Sequence, residues 1–140
     1  MYDSCLKKQS EIKALFAPLK TDEEKYSKII ELGRKLPPFP QDAKTPVNEV
    51  KGCQSVMHLL TEKSDQILYF QAESDALISK GLAALLINVY SGESPEAILK
   101  CPPNYLEEIG ITGSLTPNRA NGLYSIHLRM KQEALKSLIN

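Results

Sequence analysis

SVMHLLTEKSDQILYFQAE, residues 55–73, decides the fold of this chain. Two apolar runs of strand length, SVMHLLTE (55–62) and QILYFQAE (66–73), flank the polar triplet Lys63-Ser64-Asp65, which is the pattern of a β-hairpin. Just ahead, VNEV (47–50) predicts one more short strand. Outside this region the strong periodicities are helical. Apolar residues at 5, 12, 16 and 19 predict an amphipathic helix over 3–17, closed by Pro18. Thr21 with Glu24 three residues on forms a capping-box pattern for a second helix with the stripe Tyr26, Ile29, Ile30 and Gly33. Between that helix and the hairpin, LPPFPQDAKTP (36–46) holds Pro37, Pro38, Pro40 and Pro46, so it excludes a helix and reads as an extended surface connection.

After the hairpin, Leu77, Ile78, Leu82, Leu85, Leu86 and Val89 define a helix apolar on more than one side. It is expected to be the most buried element, packed on the sheet. Ser94-Pro95 and Thr116-Pro117 each set an N-cap residue before a proline at the first helical position. The first pair opens a short helix to about Leu99, the second a last helix with Leu123, Ile126, His127 and Met130 on one stripe. The sum is an α+β fold: a small antiparallel sheet of about three strands with helices packed against one side, in one domain over 1–140.

Bulk properties narrow the function. Seventeen basic residues balance seventeen acidic ones, which argues against a nucleic-acid partner. The longest apolar stretch, LAALLINVY (82–90), is far short of the ~20 residues a membrane span needs. The charged, amphipathic N-terminus has no apolar core of a secretory signal. Three widely spaced cysteines, 5, 53 and 101, form no disulfide framework and predict an intracellular, reducing, cytoplasmic setting. Structural zinc needs four ligands, usually with a close cysteine pair, and no such pair exists, so no metal is expected.

The residue that invites chemistry is Cys53. It stands in NEVKGCQS (48–55), between Gly52 and the polar pair Gln54-Ser55, where a packed thiol would want apolar neighbours. Gly52 allows a tight turn and a close approach by another molecule, and Lys51 brings positive charge that favours thiolate. No general base is fixed by the sequence: His58 lies five residues on, on a strand, facing away from the turn. A Cys-His hydrolase is disfavoured for want of a base and an oxyanion hole. Thiol–disulfide exchange or sulfane-sulfur transfer needs only one thiolate and a partner, and fits better.

Four blocks then combine. EEKYSKIIELGRKLP (23–37), NEVKGCQS (48–55), AESDALISKGLAALL (72–86) and LTPNRANGL (115–123) together resemble the successive signature blocks of the SufE family of sulfur acceptors. The resemblance implies a SufE/IscU-like fold and a role in iron–sulfur cluster assembly. Cys53 then matches the persulfide-carrying cysteine. It would take sulfur from a PLP-dependent cysteine desulfurase of the SufS type, stimulating it, and pass the sulfur to a SufBCD-like scaffold. Such a chain is an accessory of the desulfurase rather than a stand-alone enzyme and holds no cofactor of its own; no lysine here sits in a PLP motif. Gly52, Gln54 and Ser55 match the turn that presents the thiol, Asp75 an acidic residue near it, and Arg119 an arginine of the active surface. At a helix start, Arg119 would add to the positive end of the dipole. The resemblance also implies a thiol that rests in a hydrophobic cavity and swings out on docking. His58 stands where the family often has tryptophan, and Asn118 where it often has serine.

Plainer readings stand beside these. Asp75 is equally placed to cap the helix that follows, and Arg119 to be a solvated first-turn side chain. Cys5 reads as packing, Cys101 as a thiol in a loop before Pro102-Pro103, and His127 and His58 as packed histidines. The rival function is a passive scaffold for a nascent iron–sulfur cluster, disfavoured because clusters need several thiolates. The oligomeric state, a homodimer included, is left open.

Overall fold

In a computed structural model of the chain, which describes residues 2–111, 113 and 115–139, the hairpin forms from β1 (Met57–Ser64) and β2 (Ile67–Ser74). The strands pair antiparallel from Met57↔Ser74 to Ser64↔Ile67. The turn is Asp65-Gln66, with φ of 52° and 68°, the geometry of a two-residue type I′ connection. It falls at the end of the predicted triplet and one residue beyond it. The strand expected at 47–50 is absent. Pro46–Asn48 closes instead into a single 3-10 turn, because Pro46 has no N–H to give a ladder and is at no loss in first position. What remains of the third strand is a bridge between Glu49 and His58 and a bond from Val50 N–H to Met57 O at 2.8 Å. The sheet therefore has two strands rather than three. Gln41–Ala43 forms another 3-10 turn, so the proline-rich connection is not extended throughout.

Six helices complete the described chain: α1 (Asp3–Phe16), α2 (Asp22–Arg34), α3 (Leu77–Tyr90), α4 (Pro95–Lys100), α5 (Tyr105–Glu108) and α6 (Pro117–Ile139). Their starts follow local hydrogen bonding. The Thr21 hydroxyl accepts from Glu24 N–H at 3.1 Å while the Glu24 carboxylate accepts from Thr21 N–H at 2.9 Å, closing the capping box on α2. The hydroxyls of Ser94 and Thr116 accept from Ala97 N–H at 3.2 Å and Arg119 N–H at 3.3 Å, ahead of Pro95 and Pro117.

The buried face of the hairpin carries Met57, Leu59, Leu68, Phe70 and Ala72. It packs on α3, which is buried along most of its length because α1, α2 and α6 also lie against it. Burial of five such side chains contributes on the order of 1.5–3 kcal/mol each for the large ones. α2 and α3 meet through Gly33 and Gly81: a Cβ on Gly33 would lie 2.8 Å from the Gly81 nitrogen, so only bare backbones fit at this crossing. Glu93 is buried just after α3, and its carboxylate is satisfied by Lys8 Nζ at 2.6 Å and the Ser4 hydroxyl at 2.8 Å. This is a buried charge kept by pairing and hydrogen bonding together. Among the described residues, no helix is long and apolar enough to cross a membrane.

Candidate functional site

The three thiols occupy different worlds. Cys5 on α1 and Cys101 at the end of α4 are sealed, 0% and 2% exposed. Gln9 donates to the Cys101 sulfur at 3.3 Å, and the Tyr90 hydroxyl to its carbonyl at 2.7 Å, so Cys101 lies in the core rather than in an open loop. Cys53 is half-buried in the turn before β1.

That turn is built from both flanks. On the approach side, Gly52 has φ of +90° and packs on Ser125 of α6 with no space for a Cβ. On the exit side, Asp75 accepts from Val56 N–H at 3.1 Å and the Ser74 hydroxyl donates to Val56 O at 2.8 Å. The Ser55 hydroxyl bonds the Ser79 hydroxyl of α3 at 2.8 Å. Between these ties the Cys53 thiol donates weakly to Gly122 O of α6 at 3.8 Å.

Behind the thiol lies a cavity of about 250 Å³. Its walls are Met57 from β1, Ile78 and Leu82 from α3, and Ile126 from α6, with Asn118 and Arg119 at the mouth. Burial pushes the Cys53 thiol above its ordinary pKa. The expectation that Lys51 favours thiolate is therefore not met in this conformation, where desolvation sets the direction of the shift. The thiol here is sheltered, and would ionise more readily in water.

Of the sequence-predicted residues, Gln54, Ser55 and Arg119 gather with Cys53 around the cavity, while Gly52 packs beside it on Ser125. Arg119 is exposed, and its guanidinium lies 6.0 Å over the Tyr26 ring of α2. Asp75 stands outside the cavity. It does not cap α3, whose N-cap is Ala76 without a side-chain bond; it holds the end of the cysteine turn instead. His58 packs near Phe39, with ring centroids 6.3 Å apart, away from the thiol. His127 is buried, its ring 5.1 Å from that of Tyr90. Its Nε2 has no hydrogen-bond partner among the described residues, so there the packed histidine is not a satisfied one. Sequence reasoning missed Ser79, Ser125 and Arg129 as neighbours of the turn. The signal available for α6 was spacing: 119, 122, 125 or 126, and 129 share one helical face.

A two-stranded sheet under helices, with one presented thiol of three set over an apolar cavity, defines the class: a small α+β protein organised around a single accessible cysteine. The chain belongs to the SufE family. The family model described as "SufE: Fe-S metabolism associated domain" matches residues 10–134, which places the chain in iron–sulfur metabolism. An uncharacterised SufE-like protein of Synechocystis is 38% identical over 116 residues, 82% of this chain and 73% of that one. A second, from Rhizobium meliloti, is 38% identical over 124 residues, 85% of this chain and 89% of its own. A SufE-like protein 1 of Arabidopsis thaliana, named as chloroplastic and mitochondrial, is 34% identical over 91% of this chain, which spans 35% of it. The solution structure of a hypothetical protein from Thermus thermophilus superposes with a TM-score of 0.78 at 27% identity, covering 95% of this chain and 97% of that one.

Proposed function

We propose that the protein is a sulfur acceptor for a PLP-dependent cysteine desulfurase of the SufS type. The Cys53 thiolate attacks the outer sulfur of a persulfide on the partner. The partner's S–S bond breaks, its cysteine leaves as thiolate, and the outer sulfur stays on Cys53 as Cys53–S–SH. No oxidant or reductant is consumed, because one S–S bond forms as one breaks. Clearing the partner's cysteine frees it for another cycle, which is the stimulation. A second exchange of the same kind hands the sulfur to a SufBCD-like cluster scaffold. The whole chain acts as one SufE-like unit, in a reducing compartment such as the cytoplasm.

The observation that carries this reading is the contrast among thiols: Cys5 and Cys101 are sealed, while Cys53 sits half-buried at a cavity with room for a further sulfur atom. Gly52, Gln54 and Ser55 shape the presenting turn, Asp75 ties its exit, and Arg119 brings a cation to the mouth where a persulfide anion would emerge. The test is to incubate the full chain with a SufS-type desulfurase and cysteine, then map added mass. One sulfur is expected on Cys53, and Cys53→Ser abolishes both the addition and the stimulation. Cys5→Ala and Cys101→Ala lose stability, as cavity-forming substitutions do, yet still accept sulfur. Sulfur mapped to Cys5 or Cys101, or undiminished transfer by Cys53→Ser, overturns the reading.

A further inference from the structure

The segment that leads into the cysteine turn runs along one face of α6, against the direction of that helix. Near its start, the Arg129 guanidinium donates to Glu49 O at 3.0 Å and also to Val47 O. One helical turn back, Ser125 backs Gly52. A further turn back, Gly122 O meets the Cys53 thiol. Residues 122, 125 and 129 follow the i, i+3, i+7 spacing of a single face, so three successive contacts hold 47–53 on one helix.

We propose that Arg129 is a positioning residue for Cys53: by binding the two carbonyls ahead of the turn, it keeps the turn on α6 and the thiol over the cavity. The proposal rests on Cys53 being the sulfur acceptor. Arg129 touches no reacting atom, and it acts through Val47 and Glu49. Arginine suits the task because its planar fork offers several donors at fixed angles, enough for two carbonyls and a carboxylate at once. The carboxylate is Glu133, one turn on, which accepts from Arg129 Nε at 3.3 Å and aims the guanidinium.

Both ends of the turn are fastened to the hairpin, and the approach alone is fastened to α6 by the Arg129 fork as well. Its exit is tied to the end of the hairpin and its flank, where Asp75 and Ser74 hold Val56. Its approach is tied twice, to β1 by Val50 N–H on Met57 O and the Glu49–His58 bridge, and to α6 by Arg129. Breaking the Arg129 bonds alone lets the turn lift off α6 while the hairpin still anchors it at both ends. The resting thiol is then exposed, and the burial that raises its pKa is relieved.

The experiment measures alkylation of Cys53 by iodoacetamide in the isolated full chain, mapped by peptide mass. Arg129→Gln is expected to raise the rate about tenfold, the scale of losing charge-assisted hydrogen bonds. Arg129→Lys keeps the charge without the fork and falls between; it carries the comparison if Arg129→Gln does not fold. Tyr105→Phe, which removes the buried bond to Leu85 O at 2.9 Å far from the turn, lowers stability and leaves the rate unchanged. An unchanged rate in both Arg129 variants overturns the proposal, as does an equal rise in Tyr105→Phe. Alkylation needs no desulfurase, so this outcome is distinct from failure of the acceptor reading, which sulfur mapping to another residue would report.

Discussion

Gly52 rests directly on Ser125 with its backbone at a φ of +90°, a conformation and a separation that only glycine satisfies together. Gly52→Ala meets both penalties: a left-handed side-chain-bearing residue, and a Cβ driven into the Ser125 hydroxyl. The expected loss is about 1–3 kcal/mol in urea unfolding, with faster alkylation of Cys53 as the turn is displaced. In a Ser125→Ala background the hydroxyl clash is gone while the positive φ remains, so part of the lost stability is regained. Gly52→Ala at full stability would remove the close approach from the account.

Arg119 has the opposite profile. It is exposed at the cavity mouth, its guanidinium over Tyr26. Arg119→Ala should slow sulfur acceptance about tenfold, as expected for losing one charge-assisted contact to an anion, while stability stays within about 0.5 kcal/mol. The slowing should shrink at high salt, since exposed charges are screened. A variant that loses stability and transfers sulfur normally would make Arg119 a packing residue.

His127 makes stability depend on pH. Burial, with the Lys131 cation as the lesser cause, lowers its pKa from 6.5 to about 4. The folded protein therefore resists the proton that the unfolded chain accepts. Stability is fully present above pH 6.5, declines as pH falls toward 4, and changes no further from this group below that. The span is worth up to about 3 kcal/mol, at 1.36 kcal/mol for each pKa unit. His127→Leu should flatten that part of the profile in urea titrations at successive pH values. An unaltered slope would show that the imidazole is not its source.

Much of this molecule was legible in one dimension because the signals were local. The capping box at Thr21 and Glu24 and the Ser94-Pro95 and Thr116-Pro117 starts depend on residues three apart, and all three appear as expected. The hairpin was visible in its two apolar runs, yet its turn settled on Asp65-Gln66, where no glycine marks the two positive φ values. The expected third strand failed at Pro46, whose missing N–H favours a 3-10 turn over a ladder. At the site, the placement of Cys53 in a turn rather than in the core was readable from the glycine and polar residues around it. Ser125, Arg129 and Ser79 were not, because their roles arise only when α6 and α3 are laid against the turn. His58 was correctly expected to face away, since β1 alternates and Met57 takes the inward position. Asp75 was ambiguous between cap and loop support because both use the same carboxylate, and only the Val56 bond separates them.

The bare crossing at Gly33 and Gly81 reaches further than the packing of two helices. Ile78, Ser79 and Leu82 stand on the same helix within a turn of Gly81, so the far wall of the chamber is clamped where α3 has no slack to give. The near wall is a short length of chain fastened at its ends. In such a vessel the lid is the part with room to move, so access to the thiol is set by the fastening of that short segment more than by the helix behind it.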